Sequence, residues 1–338
     1  MNKKLILIFI VVSLFLTGCG VRPTDDRPIT DVDVRKGTEG LNMKFVRNAP
    51  PDRVFEDGVF PMAVELKNKG ASDIGDDKKT QDIKEQGGIV VFGFEKTYVD
   101  VSRWDEKCIG EVCKVEIEGK SVFNPAGDDE FITINAQAKK IGEQSETHRS
   151  TILATACYPY KTVFGSSVCI DTDIYGIVKR QKACSVQDLV FDGQGAPVAV
   201  TKIETRMLPQ DNDKVKPHFI IYIENKGNGE VVNPEKDKED PSIYIYEKAC
   251  TSKSLDYKDF NTLKISAWLS GEELDCSVDK DGMIRLREKE DMIRCESKDE
   301  DDIPKNRDAY TSPLKIELDY GYTFTISKNI IIEKILTH

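Results

Sequence analysis

Apolar and polar residues alternate with a period of two over short runs along most of the chain, and this pattern constrains the fold more than any other feature. In an extended strand successive side chains point to opposite faces, so an alternating run buries one face and wets the other. Residues 62–67, 89–94, 131–136, 243–247, 263–269, 314–326 and 330–335 all read this way, each halted by Gly, Asn, Asp or Pro. No long stretch carries a helical period, although residues 80–86 (TQDIKEQ) fit one helical turn. The expected class is all-β.

The pattern is also written twice. The run VELKNKG ends at Asn68-Lys69-Gly70 and YIENKG ends at Asn225-Lys226-Gly227. VSRW ends at Trp104 and ISAW at Trp268, and Tyr158-Pro159-Tyr160 answers Tyr320-Gly321-Tyr322. Three ordered landmarks displaced by about 160 residues indicate two copies of one unit. Each copy is long enough to bury its own core. The expected organisation is a first β-sandwich at 41–182, a linker at 183–195 and a second β-sandwich at 196–338. Val64 and Leu66 then point inward in the first, and Ile221 and Ile223 in the second.

A strand ending in Asn-x-Gly, a variable loop and a second apolar strand resemble the CARDB-type and related immunoglobulin-like modules of prokaryotic surface proteins. The Tyr-x-Tyr pairs are similar to the tyrosine-corner region of such sandwiches. The resemblance implies Tyr158 and Tyr320 at the corner, with Tyr160 and Tyr322 where an inter-sheet cysteine would stand. It implies two tandem immunoglobulin-like sandwiches in series, a rod whose edge strands and loops engage other proteins.

The N-terminus gives an address. Lys3 and Lys4 precede an apolar run from Leu5 to Leu16, followed by Thr17-Gly18-Cys19. The run is too short for a membrane span of ~20 residues and reads as a secretory signal peptide, residues 1–18. Leu16-Thr17-Gly18-Cys19 resembles the lipobox of prokaryotic lipoproteins, which implies a lipid-bearing Cys19 (palmitate or another chain) at the start of the mature protein. Residues 19–40 are polar and carry two prolines, the composition of a flexible tether. The formal net charge is −11, and loss of Lys3 and Lys4 makes it more negative. Such a surface repels phosphate backbones, so nucleic acid is excluded as a partner.

Setting Cys19 aside leaves an even number of the nine cysteines, suited to disulfides in an oxidising compartment. Cys108 with Cys113, Cys157 with Cys169 across an apparent hairpin, and Cys276 with Cys295 are the pairs that spacing favours. Cys184 and Cys250 then remain for each other. A zinc site has only the Cys108–Cys113 spacing to offer and lacks histidines.

Nothing in the sequence assembles a catalytic set. His148, His218 and His338 are scattered, and Ser166-Ser167 lacks a nucleophile setting. Acidic clusters at Asp76-Asp77, Asp128 to Glu130, Asp171 and Asp173, Asp211 and Asp213, Glu235 to Asp240, Asp279 to Gly282 and Asp299 to Asp302 are best read as solvated loops. Calcium is the one cofactor they would suit. Trp104 and Trp268 read as core, and Tyr244 and Tyr246, alternating with Ile243 and Ile245, mark a possible partner face. The expectation is a non-enzymatic, membrane-anchored lipoprotein of the cell surface or periplasm that binds envelope proteins. The alternatives are a calcium-dependent or glycan-binding accessory module and, behind it, an extracellular hydrolase.

Overall fold

In the computed structural model, which describes residues 30–75, 87–177, 181–211, 213–251, 254–299, 302–305 and 307–335, nearly every regular element is a strand. The signal peptide, Cys19, most of the tether, the 80–86 turn, Asp76-Asp77 and His338 lie outside the described residues. A short helix α1 (Asp31–Val34) opens the described chain. The first half then contributes β1 (Leu41–Phe45), β2 (Arg53–Phe55), β3 (Val59–Asn68), β4 (Gly88–Gly93), β5 (Val99–Arg103), β6 (Cys108–Ile109), β7 (Val112–Val115), β8 (Asp129–Ala138) and the 24-residue β9 (Thr147–Ile170). The second adds β10 (Leu189–Val190), β11 (Val198–Gln210), β12 (Lys214–Asn225), β13 (Glu230–Val232) and helix α2 (Ile245–Cys250). It continues with β14 (Thr262–Leu269), β15 (Glu272–Glu273), β16 (Asp275–Cys276), β17 (Met283–Arg285), β18 (Glu290–Glu296), β19 (Ile303–Pro304) and the 24-residue β20 (Tyr310–Glu333).

The two halves repeat one topology. The first builds a four-stranded sheet β1-β3-β8-β5, and the second a sheet containing β11-β12-β18-β16 in the same order. This is the A-B-E-D order of an immunoglobulin-type sandwich. Opposite them runs one ten-stranded sheet in which β9 pairs with β4 and β20 pairs with β14. Val64, Leu66, Ile221 and Ile223 point inward and are fully buried, as the alternation requires.

The halves do not follow one another as separate beads. β9 and β20 pair antiparallel from Thr147↔Glu333 to Ile170↔Tyr310, with Pro159 opposite Gly321 at the centre. A pseudo-twofold axis passes through that central pair, so each long strand takes the place beside the other where a G strand would lie. The described residues from Asp31 onward form one compact unit. The supposed tether also joins the body by residue 31, since Val34 is buried and the Gly195 N–H donates to the Gly37 carbonyl at 2.7 Å.

The repeated Asn-Lys-Gly turns are explained at this axis. The Tyr160 hydroxyl donates to Asn68 Oδ1 at 3.1 Å, and the Tyr322 hydroxyl donates to Asn225 Oδ1 at 3.2 Å. Each asparagine oxygen also accepts the N–H of its own glycine, Gly70 or Gly227, at 3.2 and 3.1 Å. The amide side donates to the far side of the loop, Asn68 to the Ser72 carbonyl at 2.7 Å and Asn225 to the Gly229 carbonyl at 2.9 Å. A Cβ on Gly70 would lie 1.8 Å from the Tyr160 hydroxyl, and one on Gly227 would lie 2.1 Å from that of Tyr322. Glycine is therefore required for close approach. The second tyrosine of each pair, Tyr160 and Tyr322, makes the hydrogen bonds back to the turn, correcting the assignment of Tyr158 and Tyr320 to the corner.

Other expectations also change. The tryptophans are not equivalent: Trp268 lies in β14 of the large sheet, whereas Trp104 follows β5 of a four-stranded sheet. Residues 243–247 do not form a strand. They start α2, where the Glu247 carboxylate accepts the Tyr244 N–H at 2.8 Å. The linker is structural, since β10 pairs with β11 and Gln194 is buried. Four cysteine pairs stand at disulfide distance: Cys108–Cys113, Cys276–Cys295, Cys157–Cys250 and Cys169–Cys184. The supposed hairpin between Cys157 and Cys169 is a continuous part of β9, which separates them by about 40 Å along the strand and rules out their pairing.

Two outcomes follow for stability. Tyr160→Phe leaves the Ser72 N–H without its hydroxyl partner and is expected to cost about 1–2 kcal/mol in denaturant unfolding, with Gly70→Ala costing about 3 kcal/mol or more. Non-reducing peptide mapping should yield a 157–250 cross-linked fragment and none joining 157 to 169. Replacing Cys157 and Cys250 together by serine should cost about 2–5 kcal/mol, more than the same change at Cys108 and Cys113, because the closed loop is far longer.

Candidate binding groove

A concavity of about 980 Å³ lies where the edge of β1 faces the later part of β20. Met43 lines it from one sheet, and Phe324 and Ile326 from the other. The 226–230 loop closes one end, and the end of α2 at Ala249-Cys250 stands beside Thr155 and Thr325. A second concavity of about 970 Å³, between Tyr257, Arg285 and Met292, shares Glu230 and Phe260 with the first. The two are thus continuous past Glu230. That carboxylate is exposed and has no ion-pair partner among the described residues.

Four tyrosines meet at the pseudo-axis, and two of them, Tyr158 and Tyr322, line the groove. Tyr158, Tyr160, Tyr320 and Tyr322 stack edge-on or tilted with neighbouring centroids 5.7–6.3 Å apart. Burial raises all four phenols, with Tyr322 pushed up to about 12, so they remain neutral hydrogen-bonding groups. Their hydroxyls are not equally served. Tyr320 Oη lies 3.1 Å from Thr162 Oγ1 and accepts the Val198 N–H at 3.3 Å. Tyr158 is 1% exposed and lines the groove; its hydroxyl faces the Leu41 N–H, the counterpart of Val198, without a well-formed hydrogen bond, and has no side-chain partner of the kind Thr162 gives Tyr320. The position corresponding to Thr162 is Phe324, which carries no hydroxyl.

The residues singled out in the sequence fall elsewhere. Tyr246 is fully buried, donates to the Gly87 carbonyl at 3.2 Å, and packs into space left by Gly321, where a Cβ would lie 2.6 Å from its own Cβ. Tyr244 stacks on it at 5.4 Å, so the pair is a helix-to-sheet contact instead of a partner face. Ser166 and Ser167 lie within β9. Asp171 and Asp173 both bind Lys182, at 2.7 and 3.0 Å. Asp237 pairs with Lys248 at 2.8 Å and Asp299 with Lys216 at 2.5 Å. The Asp279 carboxylate accepts the N–H groups of Asp281 and Met283, closing a turn at Gly282. Among the described residues, no three His, Cys, Asp or Glu side chains are grouped to hold a metal ion.

The groove itself went unseen in the sequence. No protein-family model matches this chain, and no curated protein matches it at a significant level.

His148 stacks on Tyr98 with ring centroids 3.6 Å apart and meets Glu95 through Nε2 at 3.0 Å. His218, on β12, has a buried Nδ1 with no partner, and desolvation holds its pKa below the usual histidine value against the opposing pull of Glu296. A depressed folded-state pKa means that the unfolded chain binds the proton more readily. The stabilisation is therefore complete above about pH 6.5 and is lost as pH falls through the folded-state value. Thermal melts of wild type and His218→Gln should run parallel above pH 7.5, with wild type losing more stability between about pH 6.5 and 5.

Proposed function

We propose that the protein is a lipid-anchored lipoprotein of the cell envelope, held to a membrane through Cys19, and that it works by binding other envelope proteins without catalysis. The single observation that carries the address is the set of four cysteine pairs at disulfide distance, one of which joins the two halves across a sequence separation of 93. Such pairing persists in an oxidising, extracytoplasmic environment. Among the described residues no helix is long and apolar enough to cross a membrane. A lipid on Cys19, in the lipobox-like Leu16-Thr17-Gly18-Cys19, supplies the attachment in this reading.

The binding role is supported by the groove. Its walls combine half-buried aromatic and aliphatic side chains with exposed sheet edge, the features of a recognition surface.

Mass spectrometry of the unreduced protein from its native membranes tests the anchor and compartment. The expected mass is that of residues 19–338 plus lipid, less the hydrogens of four disulfides. An unlipidated chain with free thiols would overturn both.

A further inference from the structure

The second half of the molecule shows how the open side of such a sandwich is closed. β11 corresponds to β1, because Val198↔Asn225 and Leu41↔Asn68 start the same register against the strand that ends in Asn-Lys-Gly. Along the outer edge of β11 lies the chain's own segment 189–194. Leu189 and Val190 pair with Ile203 and Lys202, and the Phe191 N–H donates to the Thr201 carbonyl at 2.8 Å. The Phe191 ring meets Phe164 edge-on at 4.7 Å. The Gln194 carboxamide then grips the Val200 backbone, donating to its carbonyl at 3.0 Å and accepting its N–H at 2.9 Å. Under this plug Thr162 and Phe164 are 0% and 2% exposed.

On the first half no described strand pairs at the corresponding edge. β1 is the terminal strand of its sheet, with no partner on its outer edge among the described residues. Phe324 and Ile326 occupy the positions of Thr162 and Phe164 and are only half-buried. The corresponding stretch of chain, 32–37, enters α1 and runs to Gly37, which has no carboxamide to offer. Two observations thus converge on one place: an uncovered sheet edge whose counterpart is plugged by an extended peptide, and the half-buried Phe324 and Ile326 at the positions where that plug buries Thr162 and Phe164.

We propose that this groove takes an extended peptide segment of a partner protein, laid along β1 as residues 189–194 lie along β11. The proposal deepens the binding-module reading and rests on it. Main-chain N–H and C=O groups of the peptide pair with β1 at Met43 to Phe45. An apolar or aromatic side chain seats on Phe324 and Ile326. Glu230, without a cation partner among the described residues, selects segments carrying Lys or Arg at that end.

The test uses the full mature chain and a synthetic peptide of residues 187–195, QDLVFDGQG, with a second peptide in which both aspartates are lysine. Calorimetric titration should show saturable one-site binding, tighter for the lysine peptide. N-methylation of alternate peptide amides should abolish it. Phe324→Thr, which removes the aromatic seat from the groove, should weaken binding about tenfold. Glu230→Gln should erase the advantage of the lysine peptide. Absence of binding at millimolar peptide overturns the proposal, as does binding insensitive to N-methylation or to Phe324→Thr, because the peptide would then sit elsewhere. The N-methyl arm needs no variant to fold. The outcomes are separable from the anchor: a lipidated, fully oxidised chain that ignores the peptide loses the groove alone, whereas an unlipidated chain that binds it loses the anchor alone.

Discussion

The pairing of β9 with β20 is the constraint from which the rest follows. A 24-residue strand needs hydrogen-bond partners along its whole length, and each half supplies the other's. An immunoglobulin-type sandwich normally finishes with a strand beside F, and here that place is taken by the F-like strand of the second copy. The buried Asn–Tyr hydrogen bonds flank the central Pro159–Gly321 pair and fix the register. A slip of one residue would carry both tyrosines to the opposite face of the sheet and leave Asn68 and Asn225 with buried oxygens lacking their phenol donors.

Symmetry imposed by that pairing is then broken locally, and the breaks are where the molecule acquires features. Gly321 leaves room for Tyr246, so α2 packs against the sheet on its side of the axis. Thr162 and Phe324 differ at corresponding positions, which gives Tyr320 a hydroxyl partner that Tyr158 does not have. The segment before β11 plugs its sandwich, whereas the segment before β1 turns away as α1. The halves share a topology more than a sequence, so each break lies in which side chain or lead-in segment the common frame receives.

Much of the frame was legible from residues 62–67 and 314–326, where strict alternation set the inward faces, and from Asn68, Gly70, Tyr160 and their counterparts. What misled the reading was local chemistry overruled by distant partners. Gly165-Ser166-Ser167 has the composition of a hairpin turn, yet it lies in a continuous strand because Pro313 to Lys315 run alongside it. Residues 243–247 alternate like a strand, yet Glu247 caps a helix and Tyr246 fills the space over Gly321. The cysteine pairing failed with the hairpin, since a wrong turn puts the wrong thiols face to face. Trp104 and Trp268 failed for a different reason: similar tetrapeptides lay at a similar displacement without sharing a place in the topology.

The groove could not be read at all, because it is a difference between two halves and not a motif in either. A sandwich edge left open exposes main-chain groups and apolar surface, an arrangement that proteins usually cover, charge or shorten. The second half covers its edge with residues 189–194 at no cost beyond ordering a linker that must exist anyway. The first half has a chain of similar length before β1 and spends it on α1, with Val34 buried and Gly37 bonded to Gly195 across the axis. The lead-in to β1 therefore locks the two halves together where its counterpart seals a sheet, and the unsealed edge is the structural consequence of that lock.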